Sequence, residues 1–486
     1  MSPDTGLERL VNACLFPGFA GEAPPEWILR AVDDGLGGVV LYGVNAEETG
    51  GRLERLSVPL RRRRHDLLVA VDEEGGDVTR LHYRTGSPVP GNLALGVVDD
   101  VELTRRVARA IGSELAAIGI NWNYAPVVDV NSDPRNPVIG VRSFGDDPER
   151  VARHGAAFVN GLQSCGVAAA AKHFPGHGAT RADSHEQLPV VDCDEETFRV
   201  RELAPFAAAV EAGVRSLMTA HVVFPALDAL PATLSRRFLT EIVRGELGFD
   251  GVITTDALEM RAVADRWGIG GAAVRSLAAG ADALLVGVLD GERRCDEIRS
   301  AVAEAIRSGG LPLERLEEAA ARVARLAAWA AAPRPDAHAD ADAVGAEAAR
   351  RALSAELPAP LSAPAVVVEL RDRTNLAVGD AHWSLAEPLA ACGLLAASAQ
   401  VRAADAPVPE ADGRPLVVVC RDARRSSWQP EWLRRALAAR PDAVVVAIGL
   451  ADDRALAGPA FVATHGASRA SLEAAAEALT GSNRLD

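Results

Sequence analysis

Short, almost wholly apolar runs alternate with longer segments of helical periodicity through the first 330 residues. Four of the longer segments place apolar residues at helical spacing and predict amphipathic helices: Val101–Ile118, Val151–Cys165, Glu202–Ala212 and Leu234–Glu246. The short runs predict eight strands: Val11–Phe16, Gly38–Tyr42, Leu67–Val71, Asn121–Pro126, Ala168–His173, Leu217–Val223, Gly251–Thr255 and Ala283–Val286. Runs without polar alternation are typical of a parallel sheet that is covered on both faces.

Eight strand–helix units within residues 1–330 favour an α/β fold of the (β/α)8 TIM-barrel type. An open, doubly wound sheet stays an alternative, because only the number of strands separates the two architectures.

A second, smaller domain is predicted after the barrel. Residues 331–345, AAPRPDAHADADAVG, combine two prolines with small and acidic residues and read as a linker. Residues 346–486 then predict a sandwich-like α/β domain, whose role the sequence leaves open. Its strands and helices are expected at Ala365–Leu370, Leu416–Cys420, Ala443–Ile448, Glu431–Ala439 and Ser468–Leu479.

Length, charge and cysteine spacing argue against several classes of protein. A length of 486 residues suits two domains, and a net charge of −16 argues against nucleic-acid binding, which needs basic patches. No apolar run is long enough to span a membrane, and the N-terminus lacks the pattern of a secretory signal, so we expect a cytoplasmic protein. The six cysteines are scattered without a CxxC pair, which disfavours a zinc ribbon or a disulfide framework. The oligomeric state is not predicted.

Lysine usage points to one position. Of the 51 basic residues, Lys172 alone is a lysine. Where arginine has replaced lysine throughout, a remaining lysine suggests a site that needs a compact ammonium group.

Ionisable residues cluster where the predicted strands end, which is where barrel enzymes hold their chemistry. They are found in Asp72-Glu73-Glu74-Gly75-Gly76, in Lys172-His173-Phe174-Pro175-Gly176-His177-Gly178, in Asp183-Ser184-His185, at His221 and at Asp256. Four of the eight strands would thus deliver ionisable groups to one face of the barrel.

Each residue also has a plainer interpretation. Asp256 alone could be a helix cap. His173 and His177 are four residues apart, but Pro175 and Gly176 exclude the helical spacing of a metal site. The pair Gly75-Gly76 lies in neither of the usual phosphate-loop patterns.

The cluster suits chemistry on a sugar. Asp256 is available as a nucleophile, and Asp183 with His185 could form a general acid/base pair in which the carboxylate fixes the imidazole tautomer. Asp72, Arg80, Arg142, Lys172 and His173 could hydrogen-bond several hydroxyls and an amide.

These residues resemble the motifs of glycoside hydrolase family 3, in its β-N-acetylglucosaminidase branch. The similarity covers roughly residues 10–330, and KHFPGHG (172–178) with the trailing DSH (183–185) is its most specific part. The other matching stretches are GGVVL (37–41), DEEGGDVTRL (72–81), APVVDV (125–130), IGVRSF (139–144), MTAHV (218–222), PATLS (231–235) and TDALEM (255–260).

The resemblance implies roles for single residues. Asp256 would be the nucleophile, His185 the acid/base and Asp183 its orienting partner. Asp72, Arg80, Arg142, Lys172 and His173 would hold the terminal N-acetylglucosamine, and neither a cofactor nor a metal is expected. Two departures concern Asp77, where the family often has arginine, and Thr254-Thr255, where serine and aspartate are common.

The expected reaction is retaining hydrolysis through a glycosyl-aspartate, on muropeptide or chito-oligosaccharide fragments. Phosphorolysis is an alternative, because an imidazole tolerates phosphate better than a carboxylate does. Assistance by the N-acetyl group, a non-catalytic sugar-binding barrel and a metal hydrolase are further alternatives.

Overall fold

The computed structural model describes residues 3–182, 187–334, 338–372, 378–379 and 381–481. The chain divides into two compact units. The first comprises residues 1–74, 104–139 and 143–339, and the second comprises residues 75–103, 140–142 and 340–486.

Parallel strands form the centre of the first unit. A six-stranded sheet has the order β2-β3-β4-β5-β6-β7, and β1 pairs with β8. The strands are β1 (Leu15–Pro17), β2 (Gly38–Leu41), β3 (Leu68–Val71), β4 (Trp122–Asn123), β5 (Ala168–Phe174), β6 (Ser216–Thr219), β7 (Val252–Thr254) and β8 (Leu284–Val286). The sequence therefore predicted all of these strands, and the sheet is parallel throughout.

Large and small side chains alternate in the core between these strands. Trp122 contacts Phe16 and Tyr124 edge to face, each at 5.1 Å between ring centroids. Ala70 and Ala168, from the strands on either side of β4, lie in the same buried cluster and leave space for the indole. The indole Nε1 donates to Ser216 Oγ at 2.7 Å, so the buried polar atom is satisfied.

The predicted first strand begins too early. Val11, Asn12 and Ala13 belong to the first helix, and only Leu15–Pro17 pairs with β8. Pro3–Ala13 is a helix that buries Val11 and Asn12, and its helical periodicity outweighs the apolar run Val11–Phe16.

The helices before residue 335 follow the predicted order. Val101–Ala117 and Pro148–Gln163 match the predictions closely. The segment predicted as Glu202–Ala212 is π-helical over Phe198–Leu203 and α-helical from Ala204, and Arg237–Glu246 is also π-helical. The α-helices are α1 (Pro3–Ala13), α2 (Glu26–Asp33), α3 (Gly43–Glu48), α4 (Glu54–Arg63), α5 (Asn92–Val98), α6 (Val101–Ala117), α7 (Pro148–Gln163), α8 (Glu195–Thr197), α9 (Ala204–Glu211), α10 (Arg261–Ala279), α11 (Gly291–Arg307) and α12 (Leu313–Ala331).

A mixed sheet forms the centre of the second unit. Its order is β11-β10-β12-β13-β14-β9, and all pairs are parallel except β14 with β9. The strands are β9 (Ser354–Glu356), β10 (Ala365–Leu370), β11 (Leu395–Val401), β12 (Leu416–Cys420), β13 (Val444–Ala447) and β14 (Phe461–Ala463). The helices are α13 (Ala341–Ala352), α14 (Ala386–Ala391), α15 (Gln429–Ala439) and α16 (Arg469–Thr480). Apolar clusters cover both faces of this mixed sheet, and helices accompany it, as in an α/β fold.

No helix within the described residues is both long enough and apolar enough to cross a membrane.

Candidate active site

The turn after β3 is fixed by an asparagine on the neighbouring strand. The side-chain oxygen of Asn123 accepts from Glu73 N–H at 2.9 Å, and its Nδ2 donates to Glu73 O at 2.8 Å. Asn123 is fully buried, and Glu73 and Glu74 are nearly so. The acidic motif that begins at Asp72 therefore has a defined backbone conformation.

Lys172 is buried between two carboxylates at the end of β5. Its Nζ lies 2.6 Å from Asp72 Oδ1 and 2.6 Å from Glu74 Oε1, and the residue is 1% exposed. A buried ammonium group needs such partners, because desolvation would otherwise favour its neutral form. The structure thus brings together two of the predicted sugar-binding residues, Asp72 and Lys172, and adds Glu74.

Asp129 organises the end of β5, which carries His173, and the loop that follows it. Its Oδ2 lies 2.7 Å from His173 Nδ1, and its Oδ1 accepts from His177 N–H at 2.7 Å. Because a carboxylate accepts, Nδ1 is the protonated ring nitrogen of His173. Burial opposes the charge of Asp129, but His173 and the other donors outweigh burial and lower the pKa of the carboxyl.

Neighbouring polar side chains hold His177 in place. Thr180 Oγ1 lies 2.8 Å from its Nδ1, and Asn136 Nδ2 donates to its carbonyl oxygen at 2.8 Å. Burial lowers the pKa of His177 to about 4, so the ring is neutral near pH 7. Gly178 follows at a point where a Cβ would overlap the carbonyl oxygen of Val130, which explains the glycine.

Within the ranges of the chain that the structure describes, no group of three or more His, Cys, Asp or Glu residues is arranged to hold a metal ion.

Asp256 lies two residues beyond the end of β7 and is partly exposed. Its Oδ1 accepts from the backbone N–H of Ala257 at 2.7 Å. The neighbouring strand β8 also fixes this turn, because Leu285 N–H donates to Thr255 Oγ1 at 3.0 Å. The carboxylate therefore has a fixed orientation at the carboxyl end of the strands.

His221 binds the residue next to Asp256. Its Nε2 lies 3.0 Å from Ala257 O, and its Nδ1 lies 2.8 Å from Thr233 Oγ1. A carbonyl oxygen can only accept, so Nε2 carries the proton. Thr219 Oγ1 lies 2.8 Å from Thr233 Oγ1 and extends the chain of hydroxyls. These four residues form what we call the Thr219–Ala257 chain.

Two tyrosines, the partly buried Tyr42 and the buried Tyr124, lie near both Asp72 and Asp256. Burial, and then nearby acidic groups that include Asp72 and Asp256, raises the pKa of Tyr42 well above its usual value. Burial and the same two aspartates also raise the pKa of Tyr124. Asp72, Lys172 and Asp256 are thus gathered at the carboxyl ends of the strands of the first unit.

The remaining predicted residues divide into two groups. Arg80 and Arg142 belong to the second unit, where they are 5% and 7% exposed. Asp183 and His185 lie outside the described residues, so their predicted roles stay predictions.

Four residues of the site were not assigned a role from the sequence: Glu74, Asp129, His221 and Thr233. Asp129 gave the strongest available signal, because it is a charged residue within the apolar run Val127–Val130. His221 and Thr233 lie in matched motifs, but their target is a backbone carbonyl, which no side-chain pattern reveals.

Comparison with known proteins agrees with the resemblance. Residues 25–326 match the sequence model of the "Glycosyl hydrolase family 3 N terminal domain". A β-hexosaminidase A of Pseudoalteromonas piscicida is 36% identical over 329 residues, or 62% of this chain and 55% of that protein. The match thus spans about half the length of that relative. A β-hexosaminidase of Pseudomonas aeruginosa is 41% identical over 256 residues, or 52% of this chain and 75% of that protein.

A solved structure is similar over almost the whole length. The glycoside hydrolase family 3 β-N-acetylglucosaminidase from Paenibacillus sp. str. FPU-7 has a TM-score of 0.87 and 33% identity, covering 98% of this chain and 96% of that one. The family match over more than half of the chain, together with this full-length similarity, shows that the chain belongs to glycosyl hydrolase family 3.

Proposed function

We propose that the protein is a retaining β-N-acetylglucosaminidase that releases terminal N-acetylglucosamine from β-linked glycosides. The observation that supports this best is the orientation of Asp256, whose carboxylate accepts from Ala257 N–H. The carboxylate lies among residues suited to hydrogen-bonding a sugar. The names of the hexosaminidase relatives agree with the proposal.

Asp256 acts as the nucleophile. It attacks the anomeric carbon while His185, as an imidazolium held by Asp183, protonates the leaving oxygen, so that the glycosidic bond breaks as the ester to Asp256 forms. His185 then takes a proton from water, which attacks the same carbon and releases Asp256. Two inversions give a product with retained β configuration.

The terminal sugar is held by Asp72, Arg80, Arg142, Lys172 and His173. Lys172 is held in place by Asp72 and Glu74, each at 2.6 Å. His173 presents its imidazole in a fixed tautomer because Asp129 accepts from Nδ1. Fixed donors of this kind lower the cost of ordering the site when the sugar binds.

We further propose that the strands of the first unit close into a complete (β/α)8 barrel. Isolated parallel bridges support closure on both sides of the β1–β8 pair, at Gly18–Val40 and at Thr254–Ala283. We also propose domains at residues 1–330 and 346–486 joined by residues 331–345, with residues 75–103 and 140–142 packing with the second domain. A cytoplasmic location and muropeptide or chito-oligosaccharide substrates are part of the same proposal.

The deciding experiment compares Asp256→Ala with Asp265→Ala on 4-nitrophenyl β-N-acetylglucosaminide. Asp265 is exposed and pairs with Arg261 at 3.2 Å, so its variant controls for a generic loss of acidic charge. We expect Asp256→Ala to lose at least about 10⁴-fold in kcat and Asp265→Ala to keep it. Near-normal turnover in Asp256→Ala would remove the assignment of the nucleophile.

Further measurements separate the alternatives. A 5-fluoro-N-acetylglucosaminyl fluoride, which retains the acetamido group, would exclude assistance by that group if it labels Asp256 covalently. Product formation with and without phosphate distinguishes hydrolysis from phosphorolysis, and sugar binding without turnover would indicate a binding protein. Activity that survives a chelator would exclude a metal hydrolase.

A further inference from the structure

Both candidate sugar-binding arginines lie on segments that fold with the C-terminal sheet. Arg80 is in residues 75–103 and Arg142 is in residues 140–142, and both segments belong to the second compact unit. We infer that the C-terminal sheet domain positions these two arginines through attachments that include the ion pair between Asp77 and Arg421. This inference rests on the proposed function.

The ion pair lies at the carboxyl edge of the C-terminal sheet. Arg421 follows β12 directly, and its Nη1 is 2.6 Å from Asp77 Oδ1, with side chains 18% and 2% exposed. The other oxygen of Asp77 accepts from Ala467 N–H at 3.1 Å, in the loop after β14. One buried carboxylate thus binds two loops of the sheet, three residues before Arg80.

Backbone contacts continue along the same segment. The carbonyl oxygen of Tyr83 accepts from His382 N–H at 2.8 Å, and that of Ser87 accepts from Ala470 N–H at 3.4 Å. Gly345 packs where a Cβ would overlap the carbonyl oxygen of Pro88. The segment is therefore attached to the C-terminal domain on both sides of Arg80.

Arg142 depends on the same segment. Asn92, at the start of α5 and 2% exposed, donates from Nδ2 to Arg142 O at 2.7 Å. Gly76 has φ +61°, and a Cβ there would lie 2.5 Å from Gly91 Cα. The two ends of the segment between these glycines are therefore in close contact. A change in the path of residues 75–92 would move both arginines.

The residue paired with Asp77 is an arginine that the C-terminal domain supplies, Arg421. Binding groups must be held to within a fraction of an ångström to act on a substrate. Loss of the ion pair is therefore expected to weaken sugar binding more than it slows the chemical steps.

The test is the kinetics of Arg421→Met with 4-nitrophenyl β-N-acetylglucosaminide, together with the inhibition constant of free N-acetylglucosamine. We expect both KM and the inhibition constant to rise about tenfold to 100-fold, with kcat changed by less than about threefold. The matched control is Arg454→Met, which removes an exposed pair with Glu356 at 2.8 Å in the same unit and should leave both constants unchanged.

Two further variants keep the test decisive if Arg421→Met does not fold. Asp77→Asn retains an acceptor for Ala467 N–H and should raise KM in the same way. Asp77→Arg should be worse, because it faces Arg421, and Asp77→Arg with Arg421→Asp should recover most of the lost affinity. Wild-type KM in folded Arg421→Met or Asp77→Asn, or no recovery in the double variant, would overturn the inference.

Asp256→Ala, assayed in the same series, separates this inference from the proposed function. If Asp256→Ala is inactive while the position-421 and position-77 variants bind sugar normally, only the positioning role fails. If Asp256→Ala remains active, the proposed function itself fails.

Discussion

Two buried charge clusters lie at opposite ends of the strands in the first unit. The carboxyl-end cluster consists of Lys172, Asp72 and Glu74, so it has two carboxylates around one cation. The amino-end cluster has three guanidinium groups around the carboxylate of Asp282, from Arg244, Arg315 and Arg322 at 2.5, 2.6 and 3.6 Å. The two clusters are opposite in net charge.

The difference lies in what surrounds each cluster. Asp282 is fully buried and also accepts from Ile253 N–H at 3.0 Å, while Arg315 donates to Ala281 O at 2.8 Å. These bonds join α12 to the strands, and all their partners are groups of the protein itself. The Asp72 side chain, in contrast, is 20% exposed. In barrels the amino end is typically the stabilising face and the carboxyl end the functional one. Under the proposed function, similar ion-pair clusters serve stability at the amino end and sugar binding at the carboxyl end.

The largest effect is expected for Asp282→Ala. Three partly buried guanidinium groups would lose their shared carboxylate, and breaking such a cluster costs about 3–5 kcal/mol in the free energy of unfolding. Chemical denaturation measures the loss, and kcat of the folded fraction should be unchanged. The control is Asp250→Ala, because Asp250 pairs with Arg322 and Arg325 but its side chain is 74% exposed. A loss below about 1 kcal/mol in Asp282→Ala would contradict the comparison.

Lys172→Arg should reduce activity strongly and stability only slightly, the reverse of Asp282→Ala. A planar guanidinium cannot replace an ammonium group that lies 2.6 Å from each of two carboxylates in a closed space. We expect kcat/KM to fall about 100-fold or more, with a smaller loss of stability than in Asp282→Ala. The reciprocal exchange Arg244→Lys, at the amino end, should alter stability and leave kcat/KM near its wild-type value. Equal effects of both exchanges on kcat/KM would remove the functional distinction between the two ends.

Thr233→Val tests the Thr219–Ala257 chain. The substitution preserves volume but removes the hydroxyl 2.8 Å from His221 Nδ1, so His221 would hold Ala257 less firmly. We expect kcat to fall about tenfold with little change in KM, and Thr233→Ser to restore it. If the valine and serine variants have the same kcat, the chain has no positioning role.

Glu202→Gln should have the smallest effect, and a stabilising one. Burial raises the pKa of Glu202 to about 7, so the fold favours the protonated carboxyl. This preference contributes fully below the usual pKa near 4.5 and is lost as the pH rises through about 7. Glutamine is neutral throughout, so we expect the variant to be more stable by about 1–3 kcal/mol at pH 8 and by little at pH 4.

The control for that experiment is Glu246→Gln. The hydrogen bond from Arg199 lowers the pKa of Glu246, so its folded form favours the charged carboxyl. That variant should gain no stability at pH 8. Thermal unfolding at both pH values measures the difference, and a gain in Glu202→Gln that did not depend on pH would refute the assigned cause.

The accuracy of the sequence predictions depended on side-chain type. Ala365–Leu370 and Leu416–Cys420 were predicted to the residue, because β-branched runs buried on both faces have no helical alternative. Leu395–Val401 was missed, since it is a partly exposed edge strand rich in alanine and serine. At the site, the motifs indicated Asp72 and Lys172, whereas Glu74 and Asp129 act through pairings between distant segments that depend on the fold.

The discontinuous second unit has a consequence for synthesis on the ribosome. Residues 75–103 emerge early, yet the partners that hold them, such as Arg421, His382 and Ala467, belong to the last third of the chain. Domains usually fold in the order in which they are made. Here the segment that bears Arg80 cannot reach its final contacts until translation is nearly finished, so an interrupted chain that ends before residue 340 would leave it without them.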